Sequence, residues 1–182
     1  MTEKNQVWKA EALDWGKSIL IAIVIGLFIK TFIFNTTYVD GNSMNPTLEN
    51  GDRLVTAKIV YYFSEPAVGD IIVLKAPDRD DADYIKRVLG VAGDKILIKD
   101  GLVYRNDELI EEEYIGDAEY TYGEYVEGET IIIPENQVLV VGDNRIKGAS
   151  KDGRYFGPID VSLVKSKAVI RYYPFDKFGG LN

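Results

Sequence analysis

The chain contains no histidine and no cysteine. Those two absences exclude a Ser-His-Asp triad, a Cys-His pair, a thiolate zinc site and any His-ligated metal centre. A positive charge balance is missing as well. Twenty-one Lys and Arg against 29 Asp and Glu leave a net charge of −8. That argues against nucleic acid as a partner, because neutralising phosphates needs a basic face. Freedom from cysteine suits any compartment and brings no stray thiol into an oxidising one. What is present is core material. With 46% hydrophobic and 12% aromatic residues the chain is too apolar to be disordered. Its 182 residues suffice for one domain with a small appendage.

One long hydrophobic run occurs, "ILIAIVIGLFIKTFIF" from Ile19 to Phe34. Its uninterrupted core, Ile19 to Ile29, is short enough for a buried helix or a signal h-region. Lys30 lies near the end and can snorkel to an interface, so the apolar span continues to Phe34. As a helix the segment would measure roughly 24 Å, a little short of the hydrocarbon thickness. Trp8 and Trp15 precede it among Lys4, Lys9 and Lys17, a pattern resembling an interfacial belt on a cytoplasmic flank. Glu3, Glu11 and Asp14 match those lysines, but acids count little in setting orientation. No small-x-small cleavage site follows in "NTTYVDG". The expected organisation is a short cytoplasmic N-terminus over 1–17 and an uncleaved membrane anchor over 18–37. An extracytoplasmic domain over 38–182 follows, with a small inserted subdomain around 98–130.

Beyond the anchor the pattern switches to short β-rich runs. Examples are "RLVTAKIVYY" (53–62), "DIIVLKA" (70–76), "YIKRVLGV" (84–91), "TIIIP" (130–134), "QVLVVGD" (137–143) and "KAVIRYYPF" (167–175). Gly-Asp turn pairs begin at Gly51, Gly69, Gly93, Gly116 and Gly142. The stretch 95–110 reads as a hairpin about Lys99-Asp100-Gly101, with a second turn at Asn106-Asp107. The acidic, tyrosine-rich 111–129 segment has no period and reads as a solvated excursion or small subdomain whose tyrosines are candidates for substrate contact. The fold class is therefore mainly β, preceded by one N-terminal transmembrane helix.

Three clusters carry possible chemistry. Ser43 lies in "DGNSMNPTLENGD", between Asn42 and the Asn45-Pro46 turn. Most loop serines do nothing, and a hydroxyl is a poor nucleophile until a base takes its proton. Without histidine, that base is a carboxylate or a lysine whose pKa burial has lowered. "YIKRVLG" is the clearest apolar setting for one. On a strand, Lys86 shares a face with Tyr84 and Val88, and Arg87 shares the other with Ile85 and Leu89. Periodicity leaves open which cation is buried, and a strand lysine is ordinarily snorkelling or paired. Only the lysine can act as a base, because arginine stays protonated. The third cluster, "VGDNRIKGASKDGRYFG" (141–157), reads either as a charged surface loop or as a scaffold. In the second reading it carries two Asp-Arg sets, Asp143/Arg145 and Asp152/Arg154, with Ser150 as an acceptor for a buried amine.

Taken in order, these segments resemble the bacterial type I signal peptidases in their short, single-anchor form. "SMNPT" resembles the nucleophile box, "GDRLV" the strand box, "YIKRVLG" the lysine box and "GDNR…SKDGRYFG" the last box. The resemblance implies a signal-peptidase-like β domain with a Ser/Lys dyad: Ser43 as nucleophile, Lys86 as general base, and Ser150 orienting the amine. Asp143, Arg145, Asp152 and Arg154 would form the charged scaffold. The backbone N–H of Ser43 would form the oxyanion hole. Where some members add a hydroxyl two residues earlier, this chain has Gly41. It also has Ala92 where proline is usual, Gly153 where serine is frequent, and four residues between Arg145 and Ser150, two more than usual. The implied reaction is cleavage of signal peptides from preproteins at a membrane surface, with Met44 facing substrate or bilayer. Partners would be signal peptides and lipid, with no cofactor and no metal. Oligomeric state is not legible, nor is substrate breadth. Two other readings remain: a self-cleaving repressor-type protease, which would need a DNA-binding domain, and a silent or dedicated relative assisting surface-protein or pilus assembly.

Overall fold

A computed structural model describes residues 2–116, 120–123 and 127–181. Residues 117–119 and 124–126, which hold Asp117 of the Gly116 turn pair and part of the acidic segment, lie outside the described residues, as do the side chains of Glu3, Lys4 and Lys9.

Helix α1 (Thr2–Phe28) continues through a wider π-type stretch, Ile29–Ile33. Its Leu13–Ile33 portion is 21 residues, none of it buried, and is long and apolar enough to cross a membrane. At 1.5 Å per residue it spans about 31 Å, which matches the hydrocarbon layer and makes up the shortfall expected from Ile19–Phe34 alone. The boundary expected at 37 is corrected. Helical conformation ends at Ile33, and Phe34–Tyr38 form strand β1 instead. The physical reason is pairing: β1 runs antiparallel to β2 (Arg53–Ala57), from Phe34 opposite Ala57 to Tyr38 opposite Arg53. The β-branched Thr36 and Thr37 favour that choice. Residues 60–62, expected as the end of a strand, lie instead in a single helical turn, α2 (Val60–Phe63).

The remaining strands are β3 (Ile71–Lys75), β4 (Asp83–Val91), β5 (Lys95–Lys99), β6 (Leu102–Arg105), β7 (Glu108–Leu109), β8 (Thr130–Ile132) and β9 (Gln137–Val141). After the short helix α3 (Gly153–Phe156) come β10 (Ile159–Asp160), β11 (Val164–Tyr173) and β12 (Gly179–Gly180). The larger sheet runs β1-β2-β11-β3-β4-β9-β10, with β12 added on β11; the smaller runs β7-β6-β5-β8. The smaller sheet is inserted between β4 and β9 and carries the expected hairpin, Lys99 opposite Leu102. Asp100 at φ 53 and Gly101 at φ 78 make that turn.

Alternation along β3 sets the two cores of the large sheet. Ile71 and Val73 join Val39, Met44, Leu48, Leu54 and Ile85 on one face, whereas Ile72 and Leu74 join Val88, Val138 and Val140 on the other. A third cluster, including Leu89, Ile96, Ile133 and Leu139, joins the small sheet to the large one. Met44 is the second correction. It is 1% exposed and lies in the first core, not on an outward face. The loop after Ser43 curls so that Leu48 N–H donates to Met44 O (2.9 Å). That curl turns the long unbranched thioether into the sheet, where it fills a gap among branched side chains.

Candidate active site

β4 pairs with β3 along Asp83–Arg87, but with β9 only from Arg87 onward. The outer edge of Asp83–Lys86 is therefore left open by β9, and Ser43 lies within hydrogen-bond reach of the Lys86 side chain. Three anchors hold the loop carrying Ser43. Asn144 N–H donates to Ser43 O (3.1 Å), Asn144 Nδ2 donates to Asn42 O (3.0 Å), and Gly41 N–H donates to Asn50 Oδ1 (2.9 Å).

Lys86 Nζ donates to Ser43 Oγ at 2.8 Å and to Ile85 O at 3.0 Å. Lys86 is 3% exposed, and burial lowers its pKa from 10.5 to about 8. Asp152 and Asp143 pull the value up and Arg154 pushes it down. Asp152 and Arg154 are themselves a buried pair, with Nε to Oδ1 at 2.9 Å and Nη2 to Oδ2 at 2.8 Å. Their opposite effects largely cancel at the amine, so burial decides. In the same pair, burial pushes the Asp152 carboxyl up, but hydrogen bonds and charge from Arg154 more than offset it and hold it below the usual range. Tyr84 covers the amine from the side, its ring centre 5.0 Å from Nζ.

Both cations of "YIKRV" are buried, which the strand period had left open. They leave β4 on opposite faces. Arg87 forms a two-pronged pair with Asp143, Nε to Oδ1 at 2.9 Å and Nη2 to Oδ2 at 2.8 Å, and donates to Gly69 O at 3.0 Å. Asp143 also accepts from Thr47 Oγ1 at 2.6 Å. Arg145, expected beside Asp143 as a set, bonds instead to Glu112 (2.6 and 3.0 Å) and Thr121 Oγ1 (3.1 Å). Tyr114 stacks over Arg87 at 4.0 Å. Arg87, Thr47, Glu112 and Tyr114 are site residues that sequence reasoning missed. Thr47 falls inside the nucleophile box and Arg87 beside Lys86, so both carried a positional signal. Glu112 is one of several acids in an aperiodic run and carried none.

Ser150 makes no hydrogen bond to Lys86. Its Oγ is buried outside bonding geometry to any described group, yet close enough to Asp152 to help hold that carboxyl down. It packs against Gly142, whose N–H donates to Asp152 Oδ2 at 2.9 Å. A Cβ on Gly142 would lie 2.3 Å from both Ser150 Oγ and Ser43 O. Only glycine fits between them. Gly142→Ala is therefore expected to push the Ser43 loop off Lys86 and lower kcat about 100-fold, the usual cost of an ångström of misplacement. A rate within threefold of the parent would show that the contact is not limiting.

The Ser43 N–H donates to no partner among the described residues. Space for a side chain at Gly41 is open, but its φ of +103 is one that L residues rarely adopt. A hydroxyl there would need a different backbone. A cleft of about 720 Å³ lies beside the serine loop, lined by Pro46, Glu49, Asn144 and Ile146 and by Ile115, Tyr120 and Tyr122 of the acidic segment.

A family profile described as "Signal peptidase, peptidase S26" matches residues 12–173. The chain is 35% identical to signal peptidase IB of Staphylococcus aureus, with 93% of this chain and 94% of the relative covered. It is 35% identical to signal peptidase I of Bacillus licheniformis, with 97% of each covered. Probable signal peptidase I-2 of Synechocystis is 34% identical, covering 92% of this chain and 76% of the relative. A crystal structure of a signal peptidase I from Enterococcus faecalis, 28% identical, aligns with 57% of this chain and 97% of its own at a TM-score of 0.48.

Proposed function

The chain belongs to the signal peptidase family S26, serine peptidases that cleave signal peptides from preproteins, and on that premise we propose that Ser43 is its nucleophile and Lys86 its general base. The observation that carries this is the 2.8 Å contact between Lys86 Nζ and Ser43 Oγ with the amine buried. Neutral Lys86 accepts the Ser43 proton as Oγ attacks the scissile carbonyl carbon. The Ser43 N–H stabilises the oxyanion. The resulting ammonium returns its proton to the leaving amine, and the mature chain departs from an acyl-serine. Lys86, neutral again, deprotonates a water that attacks the ester. Collapse frees the signal-peptide carboxylate and restores Ser43.

The signal-peptide segment adds as a strand at the edge of Asp83–Ile85 that β9 leaves uncovered, where main-chain pairing is indifferent to side-chain sequence. Asp143 and Arg87, Asp152 and Arg154, and Arg145 with Glu112 form the scaffold. Ser150 is a positioning residue that backs Gly142. Residues 13–33 form the membrane anchor, with the N-terminus cytoplasmic and the β domain outside. Tethering places enzyme and preprotein in the same bilayer and raises their effective concentration. Signal peptides and lipid are the partners.

The test is the pH–rate profile of kcat/KM on a preprotein. Only the neutral amine is a base, so activity should climb tenfold per pH unit until a bend near pH 8, the value set by burial of Lys86. A rate that stays level down to pH 5 would assign the base to a carboxylate and sink the dyad.

A further inference from the structure

The acidic, tyrosine-rich segment after β7 supplies Glu112 to the charged scaffold. Tyr120 and Tyr122 have no role in the chemistry above, yet buried groups hold their stretch in place. Arg145 ties it at Glu112 and at Thr121. Thr47 Oγ1, four residues after Ser43 and already donating to Asp143, lies 3.4 Å from Tyr114 O, and Arg154 reaches Tyr122 O at 3.5 Å. Held this way, the segment forms the far wall of the cleft beside Ser43. The near wall is continuous with the nucleophile loop, because Asn144 both lines the cleft and bonds the carbonyls of Asn42 and Ser43.

We propose that this cleft holds the first residues of the mature protein, on the leaving side of the scissile bond, with Ile146, Tyr120 and Tyr122 as its contact surface. The inference rests on the Ser43/Lys86 reading. A chain drawn through the nucleophile with its signal portion on the open edge of β4 must exit on the other side of Ser43, over Asn45 and Pro46. That is where the cleft begins. Its size falls within the range of about 300–1,000 Å³ typical of ligand sites. The lining chemistry fits a variable occupant. Asp143 and Arg145 at the base are already neutralised by Arg87 and Glu112. The largest exposed groups in the lining are aromatic and aliphatic, Ile146 at 65%, Tyr120 at 40% and Tyr122 at 42%, beside the polar Asn45, Asn144 and Glu49. Largely apolar walls whose charges are each already paired, Glu49 with Lys177 included, grip side chains of many kinds, as processing of differing mature N-termini requires.

Two reporters sharing one signal segment test the assignment. One continues into several mature residues; the other ends in an anilide with no mature residues. The full-length Ile146→Ala/Tyr122→Ala variant should lose about tenfold in kcat/KM on the extended reporter and less than twofold on the anilide. The parent should prefer the extended reporter, and the variant should lose that preference. Equal losses on both reporters, or none on either, would overturn the proposal. Failure of the underlying reading is separable: Ser43→Ala cleaving both reporters at the parent rate would defeat the dyad whatever the cleft does. The two variant side chains are substantially exposed, so folding is not at stake.

Discussion

Lys86→Met should abolish signal-peptide cleavage and at the same time raise the stability of the chain at neutral pH. Loss of activity follows from the lack of a substitute base. The sequence has no histidine. The two carboxylates whose charge reaches Lys86 are committed, Asp152 to Arg154 and Asp143 to Arg87. A fall of about 10⁴-fold in kcat is expected, and Ser43→Ala should do no less. Retention of even a tenth of parental turnover by either variant would remove that residue from the mechanism.

The stability gain follows from the same burial. Folding lowers the Lys86 pKa from 10.5 to about 8. Below pH 8 the amine is charged in both the folded and unfolded states, and the folded state bears the whole cost of burying it. Between pH 8 and 10.5 the unfolded chain binds more protons, so stability rises with pH. Above that range the cost is gone. Methionine fills the stem's volume without charge and should gain roughly 3 kcal/mol at pH 7, a rise in Tm of several degrees. Melting curves of the full chain at pH 7 and pH 10.5 measure both arms. The variant's advantage should shrink at the higher pH, and a variant less stable than the parent at pH 7 would refute the account of the shift.

Asp143→Ala should be the most destabilising substitution in the site. It removes both acceptors of the Arg87 fork and the partner of Thr47 Oγ1, leaving a guanidinium 4% exposed without its counter-charge. Breaking a buried pair from one side costs about 3–5 kcal/mol, a large share of the 5–15 kcal/mol that domains of this kind possess. Replacing both members, Arg87→Met with Asp143→Leu, removes the orphaned charge and should recover most of the stability. Activity should stay about 100-fold down even so, because Thr47 then loses the bond that fixes the nucleophile loop. Denaturant midpoints and kcat on the same preparations separate the two effects. A double variant as unstable as the single one would mean that the pair matters by shape rather than by charge.

Much of this was legible along the chain. The strand runs fell near their observed positions, because alternating β-branched residues between Gly-Asp turns permit little else. β4 at Asp83–Val91 and β9 at Gln137–Val141 lie within a residue or two of their expected starts. The errors share a cause. Residues 34–37 were counted with the anchor because they follow directly on its apolar run, which ends at Phe34, and only pairing with β2 makes them a strand. Met44 was expected to face outward because apolarity beside a serine in a loop says nothing about which way the loop curls. Asp143 and Arg145 were grouped because they are two apart. Their true partners, Arg87 and Glu112, lie 56 and 33 residues away in the chain.

The sequence by itself determined the chemistry available. With no histidine, a serine nucleophile can be activated only by a carboxylate or a neutral lysine, and an apolar strand segment containing Lys86 is where such a lysine can exist. The order of the boxes behind an apolar helix adds the family. Tertiary structure alone decided which charge neutralises which, whether Met44 lies at the surface or in the core, and that part of the acidic segment lines a cleft beside Ser43. Those outcomes depend on strands distant in sequence being brought side by side. A carboxylate chooses its partner by the distance and dielectric found there, and neither is written in the residue order.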